Sequence, residues 1–226
     1  MLDELEALIE AQTVEDVWQR LVGFADGHGF DRLLYGFTRF RTAQSWGDLQ
    51  DFLVLSNYSP DYLSEYLDMG YYRNGPMLRW VSGNTGSCSW QWAEDLSRDG
   101  GLTPDEERVL AFNHAHGLKV GYAISFHETS SRAKGALGLA AAPGRSQDEV
   151  DEYWRVNGQK ITVFANIAHM KISCLPHKSA RRALTNRQRE VLEWVGEGKT
   201  ALDIATIMGL TPATVEKHLR LARDAL

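Results

Sequence analysis

Cysteine is nearly absent. Cys88 and Cys174 are the only two among 226 residues, which excludes a disulfide framework and a cysteine-rich zinc site. Long apolar runs are missing as well, so no membrane-spanning helix is expected. The opening residues, Met1-Leu-Asp-Glu-Leu-Glu6, are acidic and lack the basic-then-apolar layout of an export signal. There is no Walker loop, dinucleotide fingerprint or nucleophile elbow to support catalysis. His114 and His116 lie two apart, a spacing that sends them to different helix faces, so they read as solvated side chains and not as metal ligands. Cys88 and Cys174 read as small apolar residues or inert thiols. No internal repeat or low-complexity stretch is present. The expectation is a soluble cytoplasmic protein that is not an enzyme.

Positive charge is also scarce, with 24 Lys/Arg against 30 Asp/Glu and a net charge of −6. It is unevenly spread. From Lys178 onward nine Lys/Arg stand against six Asp/Glu, whereas the preceding residues carry 15 against 24. An acidic body with a basic tail fits a sensor joined to a nucleic-acid reader, although an ordinary solvated domain gives the same split. The tail begins after Cys174-Leu-Pro-His-Lys-Ser-Ala-Arg-Arg-Ala183, a polar segment with a proline and no apolar period. This places a domain at 1–174, a linker at 175–183 and a second domain at 184–226. With 43% hydrophobic residues the chain can build a sizeable core.

The body mixes helix and strand periods. Leu5, Leu8 and Ile9 share one helical stripe; Val14, Val17, Trp18, Leu21 and Val22 share a second, capped by Thr13 and ended by Gly27 and Gly29. Residues Asp31–Phe40 read as a strand, and Asp51–Leu55 as its neighbour across a polar loop. Pro60 opens a short helix through Tyr62, Leu63, Tyr66 and Leu67. Thr103-Pro104 caps another helix that stops at Gly117, with acids at its positive end. Lys119–His127 and Gly135–Ala142 form a strand pair joined by a hairpin. Gln147–Ser173 closes the body as a helix, offering Tyr153, Val156, Ile161, Phe164, Ile167 and Ala168 to one face. The fold class is α+β: an N-terminal α-β-α sandwich around an antiparallel sheet, followed by a small all-α domain.

That second domain is a helix-turn-helix. Thr185 caps a helix through Val191, Leu192 and Val195; a short helix spans Thr200–Met208; Gly209-Leu210 turns; and Thr211-Pro212 starts the reading helix. Val215, Leu219, Ala222 and Leu226 form the stripe that packs on Ile204, Ala205 and Met208. Ala213, Thr214, Lys217 and Arg220 form the opposite face, which enters the major groove.

The run Leu184-Thr-Asn-Arg-Gln-Arg-Glu-Val-Leu-Glu-Trp-Val-Gly-Glu-Gly-Lys-Thr200, with Ile204-Ala205 and Thr214-Val-Glu-Lys-His-Leu219, resembles the LuxR-type DNA-binding domain. Gln188 stands where that family usually has glutamate, and Glu216 where a basic or polar residue is common. The resemblance implies DNA contacts by Thr211, Thr214, Lys217 and Arg220. The sequence ends at Leu226, where the family has a fourth helix that pairs two such domains, so the expectation is a domain lacking that helix. Over residues 10–172, Ser56-Asn-Tyr-Ser-Pro-Asp-Tyr-Leu-Ser-Glu-Tyr-Leu67, Tyr71-Tyr-Arg-Asn-Gly-Pro-Met-Leu78, Ser89-Trp90 and Gly117-Leu-Lys-Val-Gly121 resemble the autoinducer-binding domain of quorum-sensing LuxR regulators.

This second resemblance implies an N-acyl-homoserine lactone ligand and no other cofactor. Tyr58 would meet the acyl carbonyl, Tyr66 would line the cavity, and Trp90 would pack near the lactone. Tyr62 stands where tryptophan normally donates to the lactone carbonyl. Gly75 stands where an aspartate normally accepts the amide N–H, with Asn74, a backbone carbonyl or water as substitutes. Small residues Gly135, Ala136, Gly138 and Ala140 leave room for a chain. The implied partners are double-stranded DNA, a small hydrophobic signal, a second copy of the chain and RNA polymerase, with no membrane. Without the resemblance, the tyrosines at helical spacing read more readily as half-buried core residues than as ligand contacts. The change at Gly75 keeps open an orphan regulator of a non-lactone molecule, and the missing helix keeps open a form acting through heterodimers.

Overall fold

The computed structural model describes residues 2–41, 52–128, 130–176 and 184–223. The polar loop before Asp51, most of the linker and Leu226 lie outside the described residues. The chain divides into two compact units, Met1–His177 and Lys178–Leu226.

Among the described residues the first unit holds five strands: β1 (Phe30–Thr38), β2 (Leu53–Ser56), β3 (Gly86–Ser89), β4 (Gly121–Ser125) and β5 (Lys134–Ala141). They form one antiparallel sheet in the order β2-β1-β5-β4-β3. Side chains alternate across a strand, and here the two faces differ sharply in size. On one face, Leu33, Tyr35, Phe37, Ile124, Leu137 and Leu139 pack against α1 (Leu2–Glu10), α2 (Val14–Asp26) and the 28-residue α7 (Gln147–Cys174). This is the main core. Thr13 caps α2 by accepting from the Asp16 amide at 3.1 Å. The assigned stripes hold with two corrections: Ile9 is 57% exposed and Val156 is 67% exposed. On α7 the buried line runs instead through Val150, Trp154, Ile161, Ala165, Ala168 and Ile172, because Trp154 stacks flat on Tyr122 (ring centroids 3.9 Å apart) and sets which side faces the sheet.

The opposite face carries α3 (Pro60–Asp68), α4 (Pro76–Gly83), α5 (Gln91–Arg98) and α6 (Pro104–Ala115), with a 3₁₀ turn at Tyr71–Arg73. Of these, α4, α5 and β3 have no counterpart in the sequence reading. Ser59 caps α3 ahead of Pro60, and a full capping box between Thr103 and Glu106 starts α6. A second buried cluster of Tyr62, Phe112, Leu118 and Ala140 lies on this side, with Tyr58, Tyr66, Tyr71 and Trp90 packed against it.

The described residues of the second unit form three helices: α8 (Asn186–Gly196), α9 (Ala201–Met208) and α10 (Pro212–Arg223). Val191, Ile204, Ala205 and Val215 form its core, with Trp194, Met208, Leu210 and Leu219 around them. Val195, at 43% exposure, is not part of that core; Trp194 takes its place. Gly209 closes α9 with φ +64°, a left-handed cap that glycine adopts without strain.

Candidate functional site

Between the sheet and the layer of α3 to α6 lies a cavity of about 200 Å³. Its floor is made of residues too small to fill it. Gly36 on β1 pairs with Ala136 on β5, and Gly138 on β5 pairs with Ala123 on β4; all four line the cavity. The hollow follows from this contiguous patch of missing side chains in mid-sheet. Gly135, expected on the same surface, faces the other way, because a Cβ there would strike the His169 ring. Ala140 lies fully buried in the cluster beside the hollow.

Tyr58, Tyr62 and Tyr66 recur every four residues and so share one face of α3 and the turn before it. Tyr62 is 4% exposed, packed edge-on against Tyr58 (4.9 Å) and stacked with Tyr66 (5.5 Å) and Phe112 (5.1 Å). Burial raises the pKa of all three hydroxyls, that of Tyr66 to about 12, so each stays protonated at neutral pH. The Tyr62 hydroxyl donates to Asn113 Oδ1 at 2.9 Å. The hydroxyls of Tyr58 and Tyr66 have no hydrogen-bond partner among the described residues.

Trp90 packs its ring close to Gly121 on β4 and Gly138 on β5. A Cβ at Gly121 would sit 3.0 Å from its ring and collide with the Leu139 carbonyl, so glycine there permits the close approach. Gly75 caps α4 with φ −67° and ψ 136°, a conformation open to any residue. A Cβ at that position would meet Tyr66 Oη at 3.8 Å and Val109 Cγ1 at 3.9 Å, ordinary contacts. Nothing steric requires glycine; the acceptor is simply absent. Asn74 is exposed and is not among the cavity's lining residues.

Among the lining residues that the sequence reading did not single out are Asn113 on α6 and Glu94 on α5. His114 Nε2 lies 2.7 Å from Glu94 Oε1, so His114 is paired and not merely solvated. His116 is held too, its Nδ1 2.9 Å from the Phe112 carbonyl and its ring against Tyr62. The spacing His114-x-His116 could have drawn attention to this wall, but its partner lies twenty residues upstream with no local signal.

In the helical unit, Lys217 and Arg220 are exposed on the outer face of α10, and so is Ala213. Thr211 and Thr214 are partly occupied by each other. Their hydroxyl oxygens are 2.9 Å apart, and Thr211 Oγ1 also accepts the Thr214 amide at 3.2 Å, which caps the helix. Thr214 is half-buried and lies toward the flank of the face assigned to it. Gln188 completes the capping box of α8, its Oε1 accepting the Thr185 amide at 2.8 Å, so this departure from the family motif leaves the cap intact.

Residues 13–172 match the family described as Autoinducer binding domain, and residues 182–223 match Bacterial regulatory proteins, luxR family. Transcriptional activator protein AnoR of Acinetobacter nosocomialis is 26% identical over 96% of this chain and 87% of that protein. Transcriptional activator protein VanR of Vibrio anguillarum is 26% identical over 90% of this chain and 80% of that protein. Among solved structures, SdiA in complex with octanoyl-rac-glycerol is similar, with a TM-score of 0.60, 19% identity and coverage of 99% of this chain and 86% of that one. So is the N-acylhomoserine lactone dependent factor CepR2 of Burkholderia cenocepacia, with a TM-score of 0.60, 19% identity and coverage of 77% and 95%. With an autoinducer-binding unit and a helix-turn-helix joined in this order, the chain belongs to the LuxR family of quorum-sensing transcriptional regulators.

Proposed function

We propose that the signal is an N-acyl-homoserine lactone seated in the cavity between the sheet and α3, and that its occupancy governs how the helical unit grips DNA. The observation that carries this reading is the Gly36, Ala123, Ala136 and Gly138 floor beneath three protonated tyrosines. An apolar void of roughly 150 Å³ admits benzene, so 200 Å³ accommodates a ring-sized head with part of a chain. Each buried methylene contributes about 0.8 kcal/mol, while unpaired polar groups in a dry pocket cost about 1–3 kcal/mol each. The free hydroxyls of Tyr58 and Tyr66 meet that second need. Ligand at 100 times its Kd stabilises the folded sensor by about 2.7 kcal/mol.

In this reading the stabilised sensor pairs with a second copy, placing two α10 helices on half-sites about 34 Å apart. Exposed Val156, Val163 and Met170, spaced by seven on α7, favour such pairing. Lys217 and Arg220 supply phosphate or guanine contacts, and Thr211 and Thr214 approach the groove at the helix start. Regulation, whether the signal tightens or releases the grip on DNA, runs through contact with RNA polymerase in the cytoplasm, and the chain performs no chemistry on its signal. A non-lactone acyl signal is the second reading, favoured by Gly75 and by the octanoyl-rac-glycerol held by SdiA. The test is fluorescence anisotropy on a duplex selected from a random pool, with and without N-octanoyl-L-homoserine lactone. A tenfold or greater change in affinity, in either direction, supports the proposal. Equal binding overturns it.

A further inference from the structure

We propose that Glu94 is the acceptor that selects the signal, and that Asn113 is its complementary donor, so that the polar head is read by the wall formed by α5 and α6. This rests on the cavity being the signal site and adds which chemistry it selects. Among the described lining residues Glu94 is the only one with an acidic side chain. Ionised, it can only accept hydrogen bonds. His114 Nε2 lies 2.7 Å from its Oε1, and Oε2 has no partner among the described residues. Asn113 Oδ1 is taken by the Tyr62 hydroxyl at 2.9 Å, which leaves its Nδ2 group, a donor only, as the free end.

The other polar groups discriminate less. Tyr58 and Tyr66 hydroxyls donate or accept as required, Trp90 offers a donor, and Lys119, an exposed lining residue, offers only donors. Position 75 offers no side chain at all. A carboxylate and a free amide donor lining one cavity suit a head with an N–H or O–H donor near a carbonyl acceptor. Both N-acyl amides and acylglycerols fit; simple fatty esters, which have no donor, do not. Tyr62 thereby acts through Asn113: its hydroxyl fixes the amide so that the N–H side faces the ligand.

The test is calorimetric titration of the full chain with three probes of one chain length: N-octanoyl-L-homoserine lactone, octanoyl glycerol and methyl octanoate. Glu94→Leu should weaken the two donor-bearing probes by about tenfold or more, as expected for loss of a charge-assisted hydrogen bond. Methyl octanoate binding should stay within threefold of wild type. Glu94→Gln, which keeps size and a neutral acceptor, should fall between the two and serves if Glu94→Leu does not fold. Adding Gly75→Asp to either Glu94 variant should recover binding of the amide probe. Unchanged donor-probe affinity in a folded Glu94 variant, or equal weakening of all three probes, overturns this proposal and leaves the signal site standing. If wild type binds none of the three probes, the signal-site reading falls with it.

Discussion

Tyr62 makes the residue-scale argument concrete. Removing its hydroxyl in Tyr62→Phe breaks the bond to Asn113 at little cost in packing, since the ring contacts with Tyr58, Tyr66 and Phe112 remain. The expected loss is about 0.5–1.5 kcal/mol, read as a lower urea midpoint with unchanged slope. Gly121→Ala should cost more, about 1–3 kcal/mol, because the new methyl meets the Leu139 carbonyl and the Trp90 ring. Trp90 fluorescence would shift with it. His28 supplies the pH dependence. Burial, and then Lys160, hold its pKa below the ordinary imidazole value, while its ring nitrogen lies 2.7 Å from the Tyr153 hydroxyl. The unfolded chain takes up a proton near pH 6.5 that the folded chain refuses, so stability present at neutral pH declines as pH falls below about 6.5. Urea melts at pH 7.5 and 5.5 should show the decline, and His28→Phe should flatten it.

At the scale of elements, stability and legibility share one cause. The caps at Thr13, Thr103 and Thr185 each accept a backbone amide in the structure and were visible as a polar residue ahead of an apolar period; Thr200, read as the first residue of its helix, is instead the cap of α9. Thr185→Ala should therefore cost the helical unit about 1 kcal/mol, seen as earlier loss of its own melting transition while the sensor's stays put. The eight-residue helices α4 and α5 and the four-residue β3 were not read from the sequence, each being shorter than the window in which a period declares itself; α9 and β2 are as short and were read from the turn and the polar loop beside them. The site divides the same way. The tyrosines every four residues on α3 are a local pattern. Glu94 and Asn113 come from two helices with no local mark, and the floor of Gly36, Ala123, Ala136 and Gly138 exists only once three strands are in register. Val156 and Ile9 misled because an apolar residue at the margin of a stripe carries no sign of which neighbour wins the core.

The whole molecule is an acidic sensor joined to a basic reader, and its two halves make separable predictions. Duplex affinity should fall with salt, and Lys217→Ala should weaken binding to all sequences alike while lowering the log–log salt slope by about 1. The sensor should bind a homologous acyl series with a gain of about fourfold per methylene, which is 0.8 kcal/mol converted, until the chain fills the floor. Gly138→Phe places a ring in the space that the chain would occupy, since a Cβ there has only ordinary contacts, 3.8 Å to the Leu34 carbonyl and 3.9 Å to Trp90. Thermal unfolding of full-length wild type and Gly138→Phe, each with and without N-octanoyl-L-homoserine lactone, tests the central claim most directly. Raised melting of the sensor in wild type, with no shift in Gly138→Phe, is the predicted result; equal shifts in both proteins would contradict it.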